Sequence, residues 1–217
     1  MCKIIISDNV FCRLVEESDC MDYFSQDEAD VIGEISNISI GSSATAMNVM
    51  LGQPITITTP DVSLVHRNEI LNDYENSCVI VKVEYIQGLY GSNLLVLKEA
   101  DAKIITDLMM GNDGKGCYTI GEMSELHLSA VSEAMNQMTA SGATALSKMF
   151  DSKIDISPPN VQYVQIDDFE FDDTLEGDTF VKINFRMKIG NLIDSTIMQL
   201  YPFDLAHSIY KLFQRRK

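Results

Sequence analysis

Two runs of polar side chains, one in each half of the sequence, carry the groups from which chemistry could be built. Asp30, Glu34 and Asn37 form the first, with Pro60 downstream; Ser129, Glu133 and Asn136 form the second, with Pro159 downstream. The glutamates are 133 − 34 = 99 positions apart, and the asparagines and prolines keep the same offset. On a helix advancing about 100° per residue, Asp30, Glu34 and Asn37 share a wedge of about 60° with Gly41. Ser129, Glu133, Asn136 and Ala140 repeat that arrangement. A carboxylate and a carboxamide one turn apart, beside a small residue that admits another backbone, suit docking and orienting rather than nucleophilic attack. Acids and amides on a long helix are commonly no more than its solvated face. Here the polar spacing and the downstream proline persist in both halves while the sequences around them have drifted, which sets a working patch level with a solvated face as the two readings.

Other chemical signals fail on spacing. Gly111-Asn112-Asp113-Gly114-Lys115-Gly116 invites a phosphate-loop reading, but a Walker pattern needs Gly where Met109 stands and Ser or Thr where Gly116 stands. A turn is expected there. His66, His127 and His207 have no ligand spacing, and the acids between Asp167 and Asp178 lack the D-x-D-x-D-G order of a calcium loop. No metal site is expected.

The wedge demands helices, and the sequence supplies them. Ser25 and Glu28 make an S-x-x-E capping box, after which Val31, Ile32, Ile35, Ile38, Ala46, Val49 and Met50 keep largely helical spacing up to Gly52. β-branched runs at Ile55 to Thr59, Cys78 to Ile86 and Asn93 to Leu97 read as strands, followed by a short helix from about Glu99 to Met110. A second long helix is expected from about Glu122 to Phe150. Strands then follow at Lys153 to Ile156, Val161 to Ile166, Thr179 to Lys188 and Leu192 to Leu200, the last two joined by a Gly190-Asn191 turn. Pro202 opens a final helix, Phe203 to Phe213, whose basic end at Arg215, Arg216 and Lys217 suits the helix dipole.

The order of elements is the same in both halves, which marks an internal duplication. Val81-Lys82-Val83 matches Val181-Lys182-Ile183 at a shift of 100, and Asp101 matches Asp204 at 103. The expected fold is α+β: one internally duplicated, pseudo-two-fold domain with two long helices packed on a shared, mainly antiparallel sheet. Repeat one covers about 25–116, repeat two about 117–217, and residues 1–24 form a tail without sustained periodicity.

Composition narrows the partners. The 217 residues are 46% hydrophobic and carry 16 basic against 32 acidic side chains, a formal net charge of 16 − 32 = −16. Such a surface repels phosphate backbones and anionic headgroups, so nucleic acid is disfavoured, and no apolar run reaches the roughly 20 residues of a membrane span. The five cysteines, Cys2, Cys12, Cys20, Cys78 and Cys117, are scattered and odd in number, which fits a reducing cytoplasm rather than a disulfide framework.

D-x3-E-x2-N-x22-P from Asp30 and S-x3-E-x2-N-x22-P from Ser129 resemble the paired signature of the CheC/CheX/FliY phosphatase family. The likeness spans roughly residues 25 to 213. It is strongest, through GEISNISIGSSATAMNVMLGQPITITTP and DSTIMQLYPFDLA, toward the CheC-like domain of that family's flagellar-switch branch. In that branch a CheY-tethering peptide and linker usually precede the domain and a FliN-like domain follows. Here Ser25-Gln26-Asp27-Glu28 runs straight into the first helix and the sequence stops at Lys217, so the expectation is either a truncated switch phosphatase or a stand-alone CheC-like protein.

The resemblance implies a hydrolase that removes the aspartyl phosphate of the chemotaxis response regulator CheY. An acyl phosphate is already activated, so what is left to supply is a water held in line with phosphorus, a positioning role a carboxamide can fill. The family implies that role for Asn37 and Asn136, pairing of Glu34 and Glu133 with the regulator's active-site lysine, and support of that contact by Asp30 and Ser129. Pro60 and Pro159 would shape the strand-end turn. No cofactor of its own is implied; Mg2+ would arrive on the phosphorylated partner. Two other readings share these residues: a non-catalytic CheY-binding scaffold at the cytoplasmic face of the flagellar motor, and a regulator that engages the deamidase CheD through the short helix near Glu99 to Met110.

Overall fold

A computed structural model describes residues 24–58, 60–74, 76–166 and 177–215. The tail expected at 1–24 lies outside them except for Phe24, as do most of the acid-rich stretch and the closing Arg216 and Lys217. Helix α1 spans Gln26–Leu51, and its capping box forms as its residues require: the Glu28 N–H donates to Ser25 Oγ (3.2 Å) and the Ser25 N–H to Glu28 Oε2 (2.9 Å). Gly52, at φ 61°, ends it in the left-handed conformation that favours glycine. The second long helix starts three residues later than its expected Glu122, because Ser124 is the cap and Gly121 (φ 86°) still belongs to the loop. There His127, at 28 + 99, replaces the glutamate: its Nδ1 accepts the Ser124 N–H (3.1 Å) while Nε2 donates to Tyr118 O (2.9 Å).

The strands are β1 (Ile55–Ile57), β2 (Asp61–His66), β3 (Ser77–Gln87), β4 (Gly91–Lys98), β5 (Asp155–Ile156), β6 (Asn160–Gln165), β7 (Thr179–Ile189) and β8 (Ile193–Pro202). The helices that complete the chain are α2 (Glu99–Met109), α3 (Glu125–Phe150) and α4 (Phe203–Gln214). The sheet is antiparallel in the order β1-β7-β8-β4-β3-β5, with β2 continuing β1 along β7 and β6 continuing β5 along β3. Each half therefore places its first strands on the other half's hairpin. Sequence reading missed β2, since Pro60 interrupts the run, and made β5 too long at its start: only Asp155 and Ile156 pair with β3.

Two repeat matches need correction. Lys82 faces Asn160 and Asn184 faces Asp61, so the equivalent of Lys82 is Asn184, at 184 − 82 = 102 and not 100. Both shifts are even, so core-facing residues stay core-facing under either, and the sequence match looks sound. At the centre Leu95 faces Gln199, and α2 and α4 open at Glu99 and Phe203, an offset of 203 − 99 = 104. Asp101 and Asp204 are therefore not equivalent: the first is buried, the second exposed.

All four helices cover one face of the sheet, where Val79, Val81, Val83, Ile183, Phe185 and Met187 pack against Ile32, Ile35, Val131 and Met135. The opposite face, with Cys78, Ile80, Val96, Phe180 and Met198, is sealed by Ile70 and Leu71 of the segment after β2, and Tyr74 OH donates to Val96 O (3.1 Å). No described helix is long and apolar enough to cross a membrane.

The Gly111–Gly116 segment is a loop, as expected, but it is folded around a carboxylate that periodicity could not single out. Buried Asp107 accepts the N–H groups of Gly114 (2.9 Å) and Gly116 (3.1 Å) on Oδ2 and Asn112 Nδ2 on Oδ1 (3.2 Å). Desolvation pushes its pKa up, but these donors, Gly116 first, outweigh it and hold the carboxyl below its ordinary value. A carboxyl depressed on folding stabilises the protein above the ordinary aspartate pKa, and that contribution is lost as pH falls toward the folded value. Asp107→Ala leaves those donors unpaired and should cost about 2 kcal/mol. Thermal melts at neutral pH should show a fall of roughly 4–8 °C, and the variant's stability should vary less with pH below about 5; an unchanged melt would show that the loop holds without its anion.

Candidate functional site

Asp30, Glu34 and Asn37 all lie exposed on α1, away from the core, as the wedge requires. The chain returns beside them after β1. Pro60 stands at the break between β1 and β2 and, with Asp61 and Val62, forms the far wall of an open groove of about 490 Å3 whose near wall is Gln26, Asp30, Gly33, Glu34 and Asn37. The four first-repeat residues singled out by spacing thus meet in one place. Gly33 sets the width: a Cβ there would come within 3.3 Å of Val62 Cγ2, so a side chain would press α1 and β2 apart. Gln26 Nε2 donates to Asp30 Oδ1 (2.8 Å) and steadies the carboxylate at the groove's end.

The second copy is built the same way on the opposite edge. Ser129 and Glu133 are exposed on α3 and Asn136 is half-buried, while Pro159 directly precedes β6, which pairs with β3. The strand breaks are spanned by equivalent bonds, Thr58 N–H to Arg186 O (3.1 Å) and Ser157 N–H to Glu84 O (2.8 Å). The copies differ in polarity. Gln137 Nε2 donates to Glu133 Oε1 (3.0 Å), whereas the equivalent Ile38 presents an apolar side chain beside Glu34. Asp30, Gly33 and Asp61 of the first copy become Ser129, Ser132 and Asn160, so the first groove is the more acidic.

Among the described residues, the first groove is lined by carboxylates, carboxamides, proline and small or apolar side chains, with no Ser, Thr, Cys, His or Lys. Such a lining can hold a cation or a water by hydrogen bonds, but it offers neither a thiol or hydroxyl for covalent catalysis nor an imidazole base. Gln26, Gly33, Asp61 and Val62 were not singled out by sequence. Gln26 lies one turn before Asp30, which is a usable signal, but the strand partners become visible only once β2 is known to run beside α1.

The FliM middle domain of H. pylori shares the architecture, with a TM-score of 0.68 at 13% identity over 87% of this chain and 99% of that chain, a likeness of fold alone. FliY of Thermotoga maritima shares it with a TM-score of 0.82 at 38% identity, over 89% of this chain and 99% of that one. Fold and repeated polar runs define an internally duplicated α+β domain. In sequence, the model of the CheC-like family matches residues 28–64 and 126–163, intervals that contain the two polar runs and their prolines. The chain belongs to the CheC-like family. The flagellar motor switch phosphatase FliY of Bacillus subtilis is 48% identical over 190 residues, which are 87% of this chain and 50% of that protein. The CheY-P phosphatase CheC of the same organism is 26% identical over 141 residues, 63% of this chain and 66% of that protein. The chain therefore spans half to two thirds of the length of these relatives.

Proposed function

We propose that this domain hydrolyses the aspartyl phosphate of the response regulator CheY, working in the cytoplasm at the flagellar switch. The observation that carries the reading is the convergence of Asp30, Glu34, Asn37 and Pro60 on one groove whose described residues include no nucleophile of the usual kinds. In the reaction, water attacks phosphorus, the bond from phosphorus to the regulator's carboxylate oxygen breaks, and inorganic phosphate leaves with the water's oxygen and protons. Asn37, and Asn136 in the second copy, hold that water in line. Glu34 and Glu133 pair with the regulator's lysine, supported by Asp30 and Ser129. Pro60 and Pro159 keep the strand start against the helix. Any Mg2+ belongs to the phosphorylated partner, since the role of these residues requires none of their own.

Two features favour this reading over its rivals. A scaffold would need the carboxylates for contact but has no use for the carboxamide retained in both copies. A CheD-type contact through α2 is poorly supported, because only Ala100 of that helix is exposed and Glu99 is engaged by Lys103, Ser77 and Tyr163. The deciding experiment is phosphate release from phosphorylated CheY with and without this chain; an unaltered decay would overturn hydrolysis and leave the two non-catalytic readings.

Within the reading, glutamate and asparagine should leave different kinetic traces. Glu34→Ala with Glu133→Ala should raise the half-saturating concentration of phosphorylated CheY about tenfold with little loss of maximal rate. The effect is that modest because both carboxylates are hydrated before docking. Saturation kinetics checks it, and an unchanged half-saturation would remove the docking role from both residues.

A further inference from the structure

We propose that the core beneath α3 contains a binding site for one ordered water, built into the second half of the fold and replaced by apolar side chains in the first. The site is a cavity of about 20 Å3 between α1, α3 and the sheet. Its polar lining is Ser39 and Ser43 of α1, Thr139 of α3, Tyr85 and Asn93 of the β3-β4 hairpin, and Gln199 of β8. Thr139 lies about one helical turn beyond Asn136.

The volume sets the ligand, because a single water needs roughly 10–15 Å3 of such space and anything larger does not fit. Asn93 sets the need for it. That residue is 3% exposed, its side chain bonds Tyr85 and Tyr201, and its Oδ1 has no protein partner among the described residues. A buried acceptor without a donor is costly, and carbon of the same shape would serve the core better. A water in the cavity can donate one proton to Asn93 Oδ1 and the other to the hydroxyl oxygen of Thr139 or Ser43, whose own protons go to Met135 O and Met138 O (2.7 Å each). It can accept from the Ser39 hydroxyl, which makes about three bonds, the usual number for a buried water.

The duplication supplies an internal control. At the offsets of 99 in the long helices, 102 in β3 and β7 and 104 in β4 and β8, the counterparts of Thr139, Tyr85 and Asn93 are Ile40, Met187 and Ile197. All three counterparts are buried in the apolar core. One half therefore packs carbon on carbon at these positions, while the other brings three polar side chains to one point and keeps a cavity between them. The contact of α1 with the sheet is dry there, and that of α3 runs through a solvent molecule that also ties it to α1.

Water-selected NMR on the full chain, with high-resolution diffraction from its crystals, tests the proposal. The expected result is a nuclear Overhauser contact between the Thr139 methyl and a water that stays bound longer than the protein tumbles, matched by a density peak within hydrogen-bond reach of Asn93 Oδ1. Asn93→Leu should lose both. If that variant does not fold, the triple exchange Tyr85→Met, Asn93→Ile and Thr139→Ile, which installs the first half's own residues, should lose the density peak in its place. No peak beside Asn93 in the parent protein would overturn the site. So would a methyl contact unchanged in Asn93→Leu, since its source would then be a hydroxyl proton exchanging with solvent.

Discussion

Alanine at Asn37 and Asn136 together is expected to abolish stimulated dephosphorylation of CheY while the protein stays folded. The carboxamides lie on the outer side of α1 and α3, Asn37 exposed and Asn136 half-buried, and neither contributes to the core. If each positions a water for in-line attack, its loss removes the placement of a reactant, worth on the order of 100-fold at that site. The single variants should each lose the share of one groove and the double variant nearly everything, with binding of beryllofluoride-activated CheY preserved. Phosphate release at saturating regulator measures it directly. A double variant with full rate would mean that the water is held by other groups and that the grooves only dock.

The second large effect concerns the fold. Residues 25–112 expressed alone should be unfolded or self-associated, with no cooperative monomeric melt. That piece contains β1 and β2 without β7, the strand both pair with, and leaves β3 without β5 and β6. It also loses α3, so the apolar side of α1 built from Ile32, Ile35 and Met47 faces water. Open edges and an uncovered apolar layer favour pairing with other chains. Sedimentation and a thermal melt decide the matter: a monomer that unfolds cooperatively would show that the exchanged strands are dispensable.

The helices and the polar wedge were legible because their signals are local: a capping box, helical periodicity, and a repeated spacing that survives without knowledge of the partner strands. What could not be read is long-range. β2 alternates well enough to be a strand, but Pro60 hides its start, and nothing near it in sequence says that it lies along β7 rather than β3. Ile70 and Leu71 look like loop residues because the sheet face they seal is made by strands far away. Asp107 sits in an ordinary helical pattern, and only the turn of the following glycines gives its carboxylate a purpose. The repeat offset slides from 99 in the long helices and the strands just after them to 102 in β3 and β7 and 104 in the last helices, so matching letters at 100 equated Lys82 with Lys182, where the ladder makes Asn184 its equivalent.

The exchange of strands between halves also sets a schedule for synthesis. Thr56 pairs with Lys188, which is added 188 − 56 = 132 residues later. At roughly 5–20 residues per second, β1 and β2 wait roughly 7 to 26 s for their partner on the ribosome. Contacts of such sequence separation close late and make folding slow. The nascent first half therefore spends that interval with strands it cannot pair, a natural client for chaperones that shield apolar segments, and a codon-dependent pause before β7 would lengthen the most aggregation-prone moment in the life of the chain.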